Sequence, residues 1–327
     1  MLNILIRGMY MISVALCTYN GEKYIEQQLD TLIHQTLPPD EIIICDDQSR
    51  DRTVDIIRNT LRDWHGSWKL ICNQQNLGYK KNFQKAISLC SGDIIFLCDQ
   101  DDVWDYDKIA IMMPFFEDPD VILVFHDADI VNERLETIRS SFLNELKFDR
   151  SSFQRGDYSC LFIGNFIQGA ACGFRKKLFD QSIPFPDTAF HDEWLALNAA
   201  LLGKIIVVPR LLLKYRQRGD NALGGPKNLS LIKKIKDWLY RFQNKKNDYL
   251  AYQEHQIELW NYLAKKYPTT SIGASNPRDF FKFLSKRRRG ILNKSWKNLP
   301  SLNEYKKFYI DSDNSKKLWV KDRLLTL

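Results

Sequence analysis

The chain has 327 residues, of which 44% are hydrophobic, a mean hydropathy of −0.36 and a net charge of +7. This length can hold one large domain or two, and the composition is that of a globular protein with a sizeable core. No run approaches the roughly 18 apolar residues of a membrane span, and residues 1–10 do not resemble a secretion signal. The seven Cys residues form no C-x-x-C pair, which favours free buried thiols and a cytoplasmic location over disulfides or a zinc site.

The first hundred residues alternate between strand and helix patterns. Asn20 is predicted to cap the first helix, and Gly21 to allow the turn before it. With short connections and right-handed crossovers, the alternation predicts an α/β fold with a mostly parallel sheet and helices on both faces. The four predicted strands are Ile12–Cys17, Glu41–Asp46, Lys69–Cys72 and Ile94–Cys98.

The fourth strand runs directly into three carboxylates, Asp99, Asp101 and Asp102. Open parallel sheets bind ligands beyond the carboxyl ends of their strands. Clustered carboxylates repel one another, and Mg²⁺ or Mn²⁺ together with a substrate phosphate commonly neutralises them. The alternative is a solvated acidic loop that caps the next helix. Polar loops also follow the first two strands at the same end, and this convergence favours a ligand site.

The second half of the first domain is less regular. A helix is predicted over Tyr106–Phe116 and a strand over Val121–Phe125, whereas residues 130–165 show weak periodicity. His191 is predicted to open a helix that ends near Leu202 at Gly203, and two strands are predicted on either side of Pro209.

The charge changes sign along the chain. Residues 1–225 contain 24 Lys and Arg against 31 Asp and Glu, whereas residues 226–327 contain 23 against 9. This change predicts a boundary near Gly225, between a domain of residues 1–225 and a basic, mainly helical region of residues 226–327. An apolar stripe over Leu229–Phe242, flanked by lysines, predicts either packing on the first domain or on a second copy as a homodimer, or contact with an anionic membrane.

Six short motifs occur in a fixed order between residues 11 and 222. They are Thr18-Tyr19-Asn20, Asp46-Asp47-Gln48-Ser49-Arg50-Asp51, Asn76-Leu77-Gly78, Asp99-Gln100-Asp101-Asp102-Val103-Trp104, His191-Asp192-Glu193-Trp194 and Tyr215-Arg216-Gln217. The ordered set resembles the inverting glycosyltransferases of family 2, which have a GT-A fold. Within this family it is most similar to bacterial enzymes of polysaccharide and O-antigen assembly, many of them rhamnosyltransferases.

The resemblance implies a nucleotide-diphosphate sugar as donor. Asp47 can accept a hydrogen bond from the imide N–H of uracil or thymine while Tyr19 stacks on the base, although the two carboxylates there can also cap the following helix. Lys80, Lys81 or Asn82, at the start of a helix, can meet a phosphate, with a solvated basic face as the alternative. The implied donor-binding residues are Thr18, Tyr19, Asn20, Glu22, Asp46, Asp47, Gly78, Lys81, Asp99, Gln100 and Arg218.

The resemblance also implies that a divalent cation, Mg²⁺ or Mn²⁺, is bound by Asp101. Asp99 would hold the sugar or ribose with Asp102 in support, and the cation would neutralise charge on the leaving diphosphate. Where many relatives have a His that completes the metal shell, this chain has Arg218. A guanidinium cannot ligate a cation but can bind the diphosphate directly.

Asp192 is the implied general base, and Glu193 is its competitor. Its place in the first turn of a helix favours the ionised form that a base needs. On the acceptor side the implied residues are Trp104, Gly169, His191 and Glu193. For Trp104, the alternative is an aromatic residue of the core.

The function hypothesis is the transfer of rhamnose or a similar hexose from a dTDP- or UDP-sugar to a glycan hydroxyl in cell-surface polysaccharide synthesis. The acceptor would be a glycan or a polyprenyl-diphosphate-linked glycan, reached at the inner face of the plasma membrane. The alternative is an inactive sugar-nucleotide-binding or scaffold protein. Nucleic acid is not expected as a partner, because no nucleic-acid-binding motif is present.

Overall fold

The structure is a computed structural model that describes residues 9–146, 148–162, 164–217, 251, 254–268, 277–293, 299–301 and 303–304. Arg218 and the predicted amphipathic stripe over Leu229–Phe242 lie outside the described residues. Contacts divide the chain into two units. The first is Met1–Gly156, Asn165–Phe185 and Phe190–Ala222, and the second is Asp157–Gly164, Pro186–Ala189 and Leu223–Leu327.

The predicted alternation of strand and helix in the first hundred residues is confirmed. β1 pairs in parallel with β2 and β4, and β2 pairs in parallel with β3. All seven residues of β1 are buried, as expected of a central strand covered on both faces. The elements are β1 (Ile12–Thr18), α1 (Ile25–Ile33), β2 (Glu41–Asp46), α2 (Thr53–Leu61), β3 (Ser67–Cys72), α3 (Tyr79–Leu89) and β4 (Ile94–Asp99).

The rest of the first unit makes the sheet mixed. Its strands are β5 (Val103–Trp104), β6 (Val121–Val131), β7 (Thr137–Arg139), β8 (Cys172–Arg175) and β9 (Lys204–Arg216). β8 lies antiparallel between β4 and β6, while β6 and β9 are parallel. Among the described residues the strand order is β3-β2-β1-β4-β8-β6-β9-β5, with β7 beside β6. The carboxyl ends of β1, β2 and β4 therefore lie at one edge.

Short helices connect these strands. They are α4 (Lys108–Met112), α5 (Phe142–Glu145), α6 (Arg150–Gln154), α7 (Lys176–Ser182) and α8 (His191–Leu202), with 3₁₀ helices at Met113–Glu117, Ser159–Phe162 and Gly169–Ala171. In the second unit, α9 (254–266) packs on α10 (Pro277–Leu292) through the rings of Trp260 and Phe280, whose centroids are 5.0 Å apart. No helix within the described ranges is long and apolar enough to cross a membrane.

The prediction that Asn20 caps the first helix is wrong. The helix begins at Ile25, and residues 21–24 form a turn in which the Tyr24 N–H donates to the Gly21 carbonyl at 3.0 Å. The Asn20 side chain instead accepts from the Arg50 N–H at 2.8 Å. A long-range contact thus replaces the predicted local one.

Two further predictions were wrong in their boundaries. The helix predicted over Tyr106–Phe116 is the five-residue α4 followed by a 3₁₀ helix, because Pro114 has no N–H for the α-helical ladder. The two strands predicted around Pro209 are one strand, β9, whose register with β6 shifts between the partners of Val208 and Leu211. A bulge lets the strand continue past a proline.

Candidate functional site

Asp46 organises the loop that follows β2. Its carboxylate is buried and accepts hydrogen bonds from the Thr18 hydroxyl at 2.7 Å and from the Ser49 hydroxyl at 2.6 Å. The Ser49 N–H donates to it at 2.8 Å. Asp46 therefore joins the end of β1 to the turn after β2.

Further hydrogen bonds join the loops after β1 and β2. The Asn20 N–H donates to the Ser49 hydroxyl at 2.8 Å, and the Glu22 N–H donates to Asp51 at 3.0 Å. The Glu22 carboxylate accepts from the Arg52 N–H at 3.1 Å. Asn20 has φ +48°, a conformation that Asn tolerates better than most residues. The two loops therefore form one rim at the edge of the sheet.

Asp47 joins this rim to the start of α3. One of its oxygens accepts from the Asn73 amide at 2.8 Å and from the Leu77 N–H at 2.7 Å, and the other accepts from the Gly78 N–H at 2.9 Å. Asp47 is only 2% exposed. Gly78 has φ +76°, which few other residues adopt, so the turn needs a glycine at this position. In this structure Asp47 orders the chain before α3.

The candidate phosphate-binding residues at the start of α3 differ in position. Lys81 is exposed, and the ammonium of Lys80 lies 4.7 Å from the centroid of the Phe190 ring. Asn82 is buried, donates to the Cys45 carbonyl at 2.8 Å and accepts from Asn73 at 2.8 Å. Of the three, Asn82 belongs to the interior.

Gln100 holds the loop after β1 against the end of β4. Its side-chain amide accepts from the Tyr19 N–H at 2.8 Å and donates to the Tyr19 carbonyl at 3.0 Å. The Tyr19 side chain remains 47% exposed. A Cβ atom at Gly21 would lie 2.2 Å from the Gln100 amide oxygen, so a larger residue there would displace the Gln100 side chain. The motifs around Tyr19 and Gln100 are thus in direct contact.

The carboxylates after β4 occupy different environments. Asp99 and Asp101 are partly exposed, whereas Asp102 is buried. One Asp102 oxygen accepts from the Arg216 N–H at 3.1 Å, and the other has no hydrogen-bond partner among the described residues. Burial, followed by the charges of Asp101 and Asp99, raises the pKa of Asp102 well above its usual value. An orphaned oxygen in a set of mutually repelling carboxylates fits a neighbouring cation.

Within the described ranges, no three His, Cys, Asp or Glu side chains converge to hold a metal by themselves. Mg²⁺ commonly uses one or two carboxylates together with substrate phosphates, so Asp101 can serve as a ligand without such a cluster.

Arg216 holds the acidic loop through hydrogen bonds to Asp101 and Asp102. No role was assigned to it from the sequence. Its guanidinium donates to the carbonyls of Asp101 at 2.7 Å and Glu133 at 2.5 Å, and to the Gln27 amide oxygen at 2.8 Å. It also lies 4.7 Å from the centroid of the Tyr24 ring. The one available signal was its place in the Tyr215-Arg216-Gln217 motif.

Asp192 lies in the first turn of α8 and is partly exposed, whereas Glu193 is buried. The Gly169 N–H donates to one Asp192 oxygen at 3.2 Å, and the Glu193 N–H donates to the other at 2.7 Å. Burial and the charge of Asp192 raise the pKa of Tyr79 to about 12, so this neutral phenol lies within electrostatic reach of the carboxylate.

Asp192 and Asp99, the last residue of β4, both lie near the Cys172 thiol. Burial raises the pKa of the Cys172 thiol, and the charges of Asp192 and Asp99 raise it further. Cys172 begins β8, next to β4. Both carboxylates are therefore close enough to act on one thiol.

All four of the expected acceptor-side residues, Trp104, Gly169, His191 and Glu193, are buried. Trp104 is 2% exposed and packs against Phe96, so the alternative interpretation as a core aromatic describes its position. His191 stacks on Phe83 with the ring centroids 4.2 Å apart, and burial lowers its pKa. A Cβ atom at Gly169 would lie 2.8 Å from the His191 ring, so this approach needs a glycine.

The sequence is similar to those of curated relatives. The chain is 27% identical over 217 residues to an uncharacterised glycosyltransferase of Nostoc sp., covering 64% of this chain and 66% of that protein, just under two thirds of its length. It is 27% identical over 238 residues to the dTDP-rhamnosyl transferase RfbG of Shigella flexneri, covering 68% and 77%.

Solved structures share the fold. The Staphylococcus aureus protein TarS 1-349 in complex with UDP superposes with a TM-score of 0.58 at 17% identity, covering 97% of this chain and 88% of that chain. The mannosyltransferase PcManGT from Pyrobaculum calidifontis in complex with GDP-Man and Mn²⁺ gives a TM-score of 0.55 at 18% identity, covering 97% and 85%. The predicted GT-A fold is therefore confirmed. The family model described as Glycosyl transferase family 2 matches residues 13–183, which is more than half of the chain. The chain therefore belongs to that family.

Proposed function

We propose that the chain transfers one sugar from a nucleotide-diphosphate sugar to a glycan hydroxyl, with inversion at the anomeric carbon. The observation that carries this proposal is the position of Asp192, a partly exposed carboxylate that accepts from the Gly169 N–H at 3.2 Å and lies near the same Cys172 thiol as Asp99 of the acidic loop. A transfer by single displacement needs a base opposite a site for the leaving diphosphate.

The donor would lie on the rim formed by the loops after β1, β2 and β4. The exposed ring of Tyr19 would stack on the base, and the start of α3 at Gly78, with Lys81, would meet the phosphates. Asp99 would hold the sugar or ribose. The relative named a dTDP-rhamnosyl transferase and the neighbour solved with UDP support a dTDP- or UDP-sugar, with rhamnose or a similar hexose as the transferred group.

Asp101, supported by the buried Asp102, would hold a divalent cation, Mg²⁺ or Mn²⁺. The Mn²⁺ bound in the similar mannosyltransferase structure supports this assignment. Such a cation would supply Lewis-acid stabilisation of the leaving diphosphate. Arg216 keeps the Asp101 backbone in place through the 2.7 Å bond to its carbonyl. The Asp101 side chain would therefore bind a ligand from a backbone whose position is fixed.

Asp192 would take the proton from the acceptor hydroxyl as its oxygen attacks the anomeric carbon. The N–H groups of Gly169 and Glu193 orient the carboxylate. Glu193 is buried, which favours Asp192 over it as the base. The acceptor would be a glycan, free or linked to a polyprenyl diphosphate, and residues 226–327 would bring the enzyme to the membrane surface that carries it.

Measuring nucleotide release with a panel of dTDP- and UDP-sugars and glycan acceptors tests this function. Asp192→Asn should lower kcat by about 10²- to 10⁴-fold and leave nucleotide affinity unchanged, because it removes the base and keeps the shape. Asp180→Asn, an exposed carboxylate on α7, is the matched control.

Full turnover by Asp192→Asn would rule out the base assignment. A wild-type chain that binds nucleotide but turns over no donor with any acceptor would be a sugar-nucleotide-binding or scaffold protein instead.

A further inference from the structure

Lys108, the first residue of α4, has a fully buried side chain a few residues beyond the acidic loop. Its ammonium donates to the Ala170 carbonyl at 2.5 Å and lies 3.3 Å from the centroid of the Trp104 ring. Burying an ammonium is unfavourable unless good partners compensate for the water that it loses. A lysine in this position therefore calls for an explanation beyond packing.

The Ala170 carbonyl belongs to the 3₁₀ helix Gly169–Ala171, which is the segment that holds Asp192. The Gly169 N–H donates to the Asp192 carboxylate at 3.2 Å. This 3₁₀ helix is thus bonded at Ala170 to the segment after the acidic loop and at Gly169 to the first turn of α8. Lys108 provides the first of these two bonds.

We infer that Lys108 is a positioning residue that fixes the Gly169–Ala171 segment and, through it, the Asp192 carboxylate relative to the acidic loop. This inference rests on the proposed role of Asp192 as base. Lys108 does not touch the reactants, and it acts through the 2.5 Å hydrogen bond that its side-chain nitrogen donates to the Ala170 carbonyl. A base displaced by about 1 Å can cost 10²-fold in rate.

Lys108→Met tests the inference, because methionine keeps the length of the side chain and removes its donor. We expect kcat to fall about 10- to 100-fold while KM for the donor stays the same. We also expect faster amide hydrogen exchange in peptides that cover residues 168–171. The double variant Lys108→Met with Asp192→Asn should be no slower than Asp192→Asn alone, because residues that act as a unit are not additive.

Lys177→Met is the matched control. The Lys177 ammonium also donates to a backbone carbonyl, that of Pro119, at 3.2 Å, but on the surface. This variant should change neither kcat nor exchange at residues 168–171.

Unchanged kcat and exchange in Lys108→Met would overturn the inference. A general loss of folded protein, with kcat restored per folded molecule, would show a merely structural lysine and would also overturn it. If the wild-type chain transferred no sugar, the proposed function would fail, whereas the exchange measurement would still decide whether Lys108 holds the segment that bonds Asp192.

Discussion

At the scale of single residues, the candidate site contains two buried ionisable side chains of opposite type, Lys108 and Asp102. Burial lowers the pKa of Lys108 to about 7 and raises that of Asp102. Both changes favour the neutral forms, because charge is poorly solvated in the interior. The side-chain nitrogen of Lys108 is held by the Ala170 carbonyl and the Trp104 ring. Burial of this lysine therefore lowers the stability of the folded chain near neutral pH, while its two contacts fix the geometry.

This balance predicts how stability depends on pH. The folded-state pKa of Lys108, about 7, is below its ordinary value of 10.5. Between these values the unfolded chain binds a proton that the folded chain lacks, so the contribution of Lys108 to stability rises with pH across this window. Lys108→Met lacks this contribution, and its melting temperature should exceed that of the wild type most at pH 7 and least at pH 10.

Thermal unfolding of both proteins at a series of pH values checks this, with Lys177→Met as control. A melting-temperature difference that is constant from pH 7 to pH 10 would contradict it. Both proteins retain the ionisable groups that act on Lys108, and the difference between the two therefore reports the charge of Lys108 together with its effect on these groups. They are Cys98, Cys172, Asp102, Asp99 and His126.

The carboxylates after β4 could be singled out from their residue type and their place after a strand, and the other residues of the rim from the resemblance carried by the ordered motifs. The sequence could not identify Arg216 or Lys108. Arg216 bonds to Asp101 across 115 residues of sequence, and Lys108 bonds to Ala170 across 62. Nothing local distinguishes either from a solvated basic residue until the sheet brings the partners together. The same reason explains why Trp104 could be read either as a sugar platform or as a core residue.

At the scale of elements, the regular first half was predictable because local patterns decide it. Alternating apolar strands and amphipathic helices with short connections leave few topologies. The antiparallel insertion of β8 between β4 and β6 was not predictable, since its four residues carry little pattern of their own. The continuity of β9 past Pro209 likewise depends on pairing with β6, whose first partner pair, Val121 and Lys204, is 83 residues apart in sequence.

Asp47 connects two of these elements, and its replacement should loosen both. Asp47→Asn leaves one oxygen for the N–H groups of Leu77 and Gly78 and for Asn73, so at least one donor loses its partner. We expect the free energy of unfolding to fall by about 1–3 kcal/mol, measured by urea denaturation. Nucleotide affinity should fall with it, because the rim is displaced.

Asp55→Asn, an exposed carboxylate on α2, is the control and should change little. Stability equal to this control would contradict the structural role of Asp47. Lost nucleotide affinity at unchanged stability would point to the direct contact with the base that the sequence suggested.

At the scale of the whole molecule, the positive charge is concentrated in residues 226–327, whereas acidic residues outnumber basic ones in residues 1–225. Within the described part of this region, α10 exposes Lys282 and Arg289, whereas Lys286 is paired with Glu304 at 2.9 Å. Each basic residue near an anionic bilayer contributes about 1 kcal/mol, so a region with this excess of positive charge has enough basic residues for peripheral binding.

The full chain should therefore float with vesicles that contain phosphatidylglycerol and remain free with vesicles of phosphatidylcholine alone. Binding should weaken as salt is raised from 0.1 M to 1 M, because the Debye length falls from about 10 Å to about 3 Å. A chain that ends at residue 225 should not float, and the full chain with Lys282→Glu and Arg289→Glu should float less. Equal flotation of the full and shortened chains, or flotation independent of lipid charge, would contradict a membrane role and leave packing or dimer formation as the use of this basic region.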